Sequence, residues 1–146
     1  MINLIIPKKT RTYIPQNLEI KWETLSPILD ELVNRPINNV AELEHWLKDK
    51  SELEAALEED FAWRYIRMTC DTGNEELVAS FQYFATEIEP KISPVGNQLN
   101  QKLADSPFID ELDKDKYFVY LRAVKKALEI YREENVELFT KIQVTQ

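Results

Sequence analysis

Residues 51–70 read SELEAALEEDFAWRYIRMTC, without a proline or a glycine, and this stretch decides the predicted fold. Ser51 with Glu54 three residues later is a capping-box pair, so the sequence predicts that a helix begins here. Apolar side chains then recur at helical steps of four and three residues: Leu53, Leu57, Phe61, Tyr65 and Met68. A second stripe follows the same helix: Ala55, Ala62, Ile66 and Cys70. Two apolar stripes predict the central helix of a bundle, packed on more than one side.

The composition of the chain favours one helical domain. Its 146 residues suit a single domain, and the hydrophobic and charged fractions of 44% and 30% are those of an ordinary globular protein. Only two glycines occur, and no Asn-Gly or Asp-Gly turn is present, which argues against an all-β fold. The net charge of −8 makes the chain a poor nucleic-acid binder, because phosphate contacts need clustered lysine and arginine. The basic group at Lys8, Lys9 and Arg11 is interpreted as a solvated arm.

The sequence also predicts a cytoplasmic protein. Cys70 is the only cysteine, so no disulfide can form within the chain, which fits a reducing compartment. The start, MINLIIPKK, has no positive segment before its apolar run, and that run is too short for a signal-peptide core. No stretch reaches the ~20 apolar residues that a membrane span needs.

The chain divides into an extended N-terminal arm at residues 1–21 and a single helical domain at residues 22–146. Thr24 is expected to cap the first helix, which Arg35-Pro36 ends. Asn39 with Glu42 predicts a second helix, which leads with almost no loop into the helix that begins at Ser51.

One long helix is predicted after the break at Asp71-Thr72-Gly73-Asn74. Pro90 and Pro94 should interrupt a helix. The helical spacing nevertheless continues across both prolines: Leu77, Phe81, Phe84, Ile88, Ile92, Val95, Leu99 and Leu103. We therefore expect one helix kinked near Pro90 or Pro94, with two helices that meet at Pro90 as the alternative.

The last third of the chain predicts three more helices. Ser106-Pro107 begins a short one that ends at Leu112, Asp113 caps the next, and Asn135 caps a last helix. That helix reaches Gln146 without a stop signal, so the domain is expected to be truncated there. The predicted fold class is all-α: an antiparallel helical bundle of about six helices, with one long kinked helix and the extended arm.

The residues offer little reactive chemistry. A zinc peptidase site needs two histidines on one helix face, and this chain has only His45. Cys70 has no histidine in its own helix and is interpreted as a small buried hydrophobe. The acid runs Glu58-Glu59-Asp60 and Glu133-Glu134 are interpreted as solvated helix faces.

Three arginines, Arg64, Arg67 and Arg122, lie on helices that otherwise look buried. Such arginines usually pair with nearby acids, but their planar fork also suits a substrate carboxylate. They are the candidate contacts to a substrate carboxylate. The aromatic residues near them are interpreted as core: Phe61, Tyr65, Phe81, Phe84, Tyr117 and Tyr120.

Several segments together resemble the N-terminal region of the oligoendopeptidase F family, thimet-like zinc metallopeptidases that cleave short peptides. The resemblance is carried by SELEAALEEDFAWRYIRMTCDT (51–72), FATEIEPKISP (84–94), NQKLADSP (100–107) and YLRAVKKALEIYREENVEL (120–138), and more loosely by SPILDELVNRP (26–36). It covers most of the chain after residue 20.

The resemblance implies a non-catalytic part of a hollow helical enzyme, in which this stretch forms one wall of an internal substrate channel. The zinc and its His-Glu-x-x-His motif would then belong to a missing C-terminal catalytic domain, and no catalytic or metal residue transfers to this sequence. Its partners would be that domain and short peptides. The alternative is a stand-alone acidic helical module that binds a protein partner, and a small independent enzyme is disfavoured.

Overall fold

The structure is a computed structural model that describes residues 11–131, and this part of the chain contains helices and no strand. The helical elements are α1 (Trp22–Asn34), α2 (Val40–Cys70), α3 (Glu75–Tyr83), a π-helical turn (Phe84–Ile88), α4 (Glu89–Ala104), a 3₁₀ turn (Ile109–Glu111) and α5 (Lys114–Ile130). The all-α prediction is confirmed. Because α3, the π turn and α4 follow one another without a break, residues 11–131 contain four long helical rods. The predicted count of about six is not confirmed, and the predicted helix after Asn135 lies outside the described residues.

Helix α2 is a single helix of 31 residues, so the prediction that a helix begins at Ser51 is wrong. The cap that begins α2 is the one predicted at Asn39, whose side chain accepts from the main-chain N–H of Glu42 at 2.8 Å. Nothing between the two predicted helices breaks the backbone ladder, because residues 48–50 include neither proline nor glycine. A capping pair inside a helix-competent stretch is therefore insufficient to begin a helix.

Helix α1 begins two residues before the predicted cap. Trp22 is its first residue, and Thr24 lies inside the first turn, where its Oγ1 accepts from the main-chain N–H of Lys21 at 3.3 Å. The helix ends at Asn34, directly before the predicted stop at Arg35-Pro36.

The run from α3 to α4 stays helical across both prolines, and no loop separates two helices at Pro90. Its irregularity is the π turn, in which the N–H of Glu89 donates to the carbonyl of Phe84 five residues earlier. A proline in a regular helix removes one N–H donor and clashes with the carbonyl four residues before it. The wider π turn lies directly before Pro90, where the regular pattern would fail. The kink near Pro90 or Pro94 stays a prediction.

The helices pack around a core that draws on every rod, and neighbouring rods have mixed directions. Phe61 of α2 contacts Phe84, with 5.1 Å between ring centroids, and Tyr65 contacts Phe81 at 5.8 Å, so α2 and α3 run antiparallel. Helices α1 and α4 run parallel instead: the start of α1 meets Lys91, and its end meets Lys102. An antiparallel bundle therefore does not describe every pair. Buried core side chains include Leu25, Leu29, Leu32, Leu43, Trp46, Leu53, Ile88, Leu99, Leu103 and Val124.

Two short segments complete the described chain. The predicted helix from Ser106 to Leu112 is only a 3₁₀ turn, and Asp113 caps α5 as predicted by accepting from the N–H groups of Asp115 and Lys116. Residues 11–21 form neither helix nor strand. Ile14 and Ile20 in this segment are buried, so it packs on the helices.

Candidate functional site

Arg64 is held by groups from three parts of the chain. Its Nε donates to Asp60 Oδ2 at 2.6 Å, its Nη1 to the carbonyl of Ser80 at 3.1 Å, and its Nη2 to the carbonyl of Ile20 at 2.8 Å. The guanidinium also lies 5.5 Å from the centroid of the Phe84 ring. Each guanidinium nitrogen therefore bonds within the domain, and this arginine joins α2, α3 and residues 11–21.

Arg67 and Arg122 are exposed, unlike Arg64. The Arg67 guanidinium lies 5.8 Å from the centroid of the Trp63 ring, which is an exposed cation–π arrangement. Arg122 lies on α5. Arg64 is thus bonded within the domain, whereas Arg67 and Arg122 are exposed on two different helices.

A polar junction ties the end of α1 to α2 and α4. Arg35 donates to Glu31 and, through Nη1, to the buried Asp49 Oδ2 at 2.7 Å. The hydrogen bonds from Arg35 lower the pKa of Glu31 from its ordinary 4.5 to about 2. Burial and the hydrogen bond to the Glu31 carboxylate raise the pKa of the Tyr13 phenol. These groups satisfy one another, so the junction fits a structural role.

A second buried cation links α2 to α5. Lys50, which is 2% exposed, donates to Glu54 and to the phenolic oxygen of Tyr120 at 2.7 Å. Burial raises the pKa of Tyr120, even though the neighbouring ammonium favours its ionised form. Sequence analysis missed this link. The available signal is that Lys50 lies three residues after Leu47 and three before Leu53, and so occupies the buried face of α2.

A groove of about 540 Å³ lies between the first half of α2 and the start of α5. Its size is in the range of small-ligand sites. Its lining combines cationic, hydroxyl and aromatic groups: Ala41, Glu44, His45, Leu47, Lys48, Ser51, Lys116, Tyr117 and Tyr120. Tyr117 and Tyr120, interpreted from the sequence as core, therefore line a surface groove.

The groove contains the single histidine, which is exposed. His45 Nε2 lies 3.4 Å from Asp49 Oδ2, and the bond that Asp49 accepts from Arg35 is shorter. Among residues 11–131 no group of three or more His, Cys, Asp or Glu side chains could hold a metal ion. The donors present in this part of the chain do not fit a zinc site.

Cys70 is exposed, so its interpretation as a buried hydrophobe is wrong. It is the last residue of α2, where no other described element covers it. The whole second predicted stripe is exposed, since Ala55, Ala62 and Ile66 are exposed as well. Helix α2 therefore packs its first stripe against the core as far as Phe61 and leaves the second stripe uncovered. Tyr65 of the first stripe is 51% exposed, so its interpretation as core is wrong.

Helix α5 also has an exposed apolar surface, which we call the α5 outer face. It consists of Phe118, Val119 and Ile130, which are 60%, 78% and 73% exposed, together with Arg122. Large apolar side chains exposed to this degree are typical of surfaces that contact another part of a protein or a ligand. Within residues 11–131, no helix is long and apolar enough to cross a membrane.

The comparisons with known proteins give one result. No curated protein and no solved structure matches the chain. The family model described as the Peptidase M3 N-terminal domain matches residues 17–131, which include every helix of the structure. The chain therefore belongs to the Peptidase M3 N-terminal domain family.

Proposed function

We propose that this chain is the N-terminal, non-catalytic domain of a zinc metallo-oligoendopeptidase of the oligoendopeptidase F type, a cytoplasmic enzyme that cleaves short peptides. Its role is to form a wall of the substrate channel and to restrict access to the zinc. The zinc and the catalytic residues belong to another part of the parent protein.

The family match over residues 17–131 carries this proposal. The buried charges are used to join helices, as for Arg35 with Asp49 and Lys50 with Tyr120.

The α5 outer face is the surface that we assign to the rest of the enzyme. Its three exposed apolar side chains would be covered when the catalytic domain is attached, and Arg122 would lie beside them at the edge of the channel. Arg67 is the second candidate for contact with a peptide, since its guanidinium is exposed. The bonds of Arg64 give it a positioning role in the wall.

The direct test uses the purified 146-residue chain with a fluorogenic peptide, with and without added zinc. No cleavage above background is expected, and zinc binding should equal that of an unrelated helical protein. Cleavage that EDTA abolishes would contradict the proposal.

The gene offers a second, independent test. We expect the reading frame to continue beyond the codon for Gln146 into a segment that encodes His-Glu-x-x-His. A stop codon at that position would contradict the proposal that the chain is part of a larger enzyme. It would favour the alternative, a stand-alone helical module that binds a protein partner.

Within such a parent enzyme, Arg122→Ala tests the channel contact. If Arg122 contacts the peptide, KM for short peptides should rise while kcat stays near the wild-type value, because binding outside the reacting centre is lost. Lys125→Ala is the matched control, since it removes another exposed cation of α5. Equal kinetics for the Arg122→Ala variant and the wild type would exclude the contact.

A further inference from the structure

The groove between the first half of α2 and the start of α5, which we call the α2–α5 groove, takes no part in the proposed function. Its lining carries a charge opposite in sign to that of the whole chain. Lys48 and Lys116 are cationic lining residues, and only Glu44 among the lining residues is acidic. The whole chain has a net charge of −8. A local excess of positive charge in an acidic protein favours an anionic ligand.

The two lysines lie on opposite walls of the groove, and both are exposed. Within residues 11–131 neither lysine forms an ion pair with a carboxylate. On the α5 wall, the ammonium of Lys116 lies 5.3 Å from the centroid of the Tyr117 ring, so a cation and an aromatic ring are side by side. On the α2 wall, Ser51 follows Lys48 by one turn and adds a hydroxyl to the same side of the helix.

The other carboxylates near the groove are bonded to groups of the protein. Asp49, Glu52 and Glu54 lie on the same part of α2 as the lining residues. Their partners are, in this order, Arg35, the main-chain N–H groups of residues 12–14, and Lys50. Within the lining, Glu44 is therefore the acid that opposes an anionic ligand.

The apolar part of the groove is held in place by buried contacts. Leu47, which is 2% exposed, forms its floor, and Tyr117 and Tyr120 are half-buried beside it. The phenolic oxygen of Tyr120 accepts a hydrogen bond from Lys50 Nζ at 2.7 Å. Because this bond fixes the Tyr120 ring before a ligand arrives, the ring loses little conformational freedom on binding. The groove thus has a fixed apolar surface beside two cations.

We propose that the α2–α5 groove binds small carboxylates that carry an apolar or aromatic body. Lys48 and Lys116 supply the donors to the carboxylate, and the body packs against Leu47 and the two tyrosines. Two lysines against one glutamate leave a small positive excess, which favours a singly charged carboxylate over a doubly charged phosphate. Free carboxylic acids and the C-terminal ends of short peptides share this chemistry.

The test uses 3-phenylpropionate as the probe and 3-phenylpropionamide as its neutral control of the same shape. Titration into the isotopically labelled 146-residue chain should shift the amide NMR signals of residues 44–51 and 116–120. A Kd of about 1 mM is expected for a ligand of this size. The amide should bind at least about fivefold more weakly, because it has no charge to pair with the lysines. Added salt should weaken the binding of the carboxylate alone.

Lys116→Met removes the ammonium and keeps the apolar stem. It should weaken 3-phenylpropionate binding at least about fivefold and change the affinity for the amide by less than about twofold. Lys125→Met is the matched control and should bind as the wild type does, because Lys125 lies about two and a half turns later, on the opposite side of α5. Circular dichroism of both variants checks that the helices are intact.

Glu44→Gln tests the sign of the electrostatic effect. It removes the acid of the lining, so 3-phenylpropionate should bind about two- to fivefold more tightly, again with little change for the amide. A structural role for these side chains would not produce opposite effects from Glu44→Gln and Lys116→Met.

Two further probes distinguish the sources of the carboxylate. The peptide Ala-Ala-Phe is compared with its C-terminal amide. Tighter binding of the peptide acid than of both its amide and 3-phenylpropionate would identify peptide ends as the ligands. Binding of 3-phenylpropionate without binding of the peptide acid would identify free carboxylic acids.

Three results would overturn the proposal. The first is equal affinity for 3-phenylpropionate and its amide, and the second is equal binding of 3-phenylpropionate by the Lys116→Met variant and the wild type. The third is phenyl phosphate that binds more than about tenfold more tightly than 3-phenylpropionate, which would assign the groove to phosphates. None of these outcomes affects the parent enzyme, which the reading frame tests separately.

Discussion

The guanidinium of Arg35 lies 2.7 Å from the buried carboxylate of Asp49, and this ion pair joins the end of α1 to the first half of α2. The carboxylate of Glu31 accepts a hydrogen bond from Nε of the same guanidinium. The two helices are thus fixed in position by a charge cluster at the connection between them.

Asp49→Ala should lower the free energy of unfolding by about 2–4 kcal/mol, because it removes one partner of a buried pair and leaves Arg35 only partly compensated. Urea denaturation followed by circular dichroism measures this. Glu44→Ala removes an exposed carboxylate from the same helix and should cost less than about 0.5 kcal/mol. Equal losses for the two variants would show that the pair with Arg35 contributes little.

Lys102→Met should destabilise the domain by about 1–3 kcal/mol. The ammonium of Lys102 donates to the carbonyls of Leu32, Val33 and Arg35 at 3.0, 2.9 and 2.6 Å, and so satisfies acceptors at the C-terminal end of α1. Methionine keeps the apolar stem and removes the donors. Gln101→Met is the control on the exposed side of α4, and amide exchange in the last turn of α1 should accelerate only in the Lys102 variant.

Glu31 should make the domain sensitive to acid. Its pKa in the folded protein is about 2, against an ordinary 4.5, mainly because Arg35 donates to the carboxylate. A lowered pKa means that the contribution to stability is present above pH 4.5 and is lost as the pH falls toward 2. The wild type should therefore lose more stability between these pH values than Glu31→Gln does, as measured by urea denaturation at each pH. Parallel plots of the free energy of unfolding against pH for the two proteins would contradict this.

The sequence predicts some helix boundaries of this fold and not others. Which ones it predicts depends on the physical effect that sets each boundary. Periodicity predicts the continuous run from α3 to α4, because a repeated apolar spacing outweighs two prolines that a π turn can accommodate. Capping signals succeed at Asn39 and Asp113, where the preceding residues are not helical. The capping signal fails at Ser51, because the residues before Ser51 are already helical.

The site is less predictable, because tertiary contacts decide it. The spacing of Arg64 from Leu57 and Phe61 places it on the apolar side of α2. That spacing does not show that Arg64 bonds to the carbonyls of Ile20 and Ser80. Arg67, three residues later, is exposed. The stripe that ends at Cys70 has the same helical spacing as the buried one. Whether a stripe is buried depends on its partner, and residues 11–131 supply a partner for only one of the two.

Arg64→Lys and Arg67→Lys form a matched pair on one helix. Arg64→Lys should lower the free energy of unfolding by about 1–3 kcal/mol, because one ammonium cannot reproduce the separate bonds from Nε, Nη1 and Nη2. Arg67→Lys should stay within about 0.5 kcal/mol of the wild type, since its guanidinium is exposed. The opposite ranking in urea denaturation would show that Arg64 does not hold the three segments together.

Glu52→Ala should release residues 11–14 from α2 while the helices stay folded. The Glu52 carboxylate is the acceptor for three successive main-chain N–H groups; burial raises its pKa, but these three donors outweigh burial and leave the pKa below its ordinary value. Hydrogen exchange of the amides of residues 12–14 should accelerate in the variant, and in the wild type as acid protonates the carboxylate.

Glu59→Ala is the matched control for this release, because it removes only the exposed ion pair with Arg11, which is worth about 0–1 kcal/mol. Exchange at residues 12–14 should remain slow in that variant. Trypsin cleavage after Arg11 gives a second readout and should be faster in Glu52→Ala than in Glu59→Ala. If both variants exchange and cleave at the wild-type rate, the three N–H bonds to Glu52 do not hold the segment, and its attachment must come from the burial of Ile14 and Ile20.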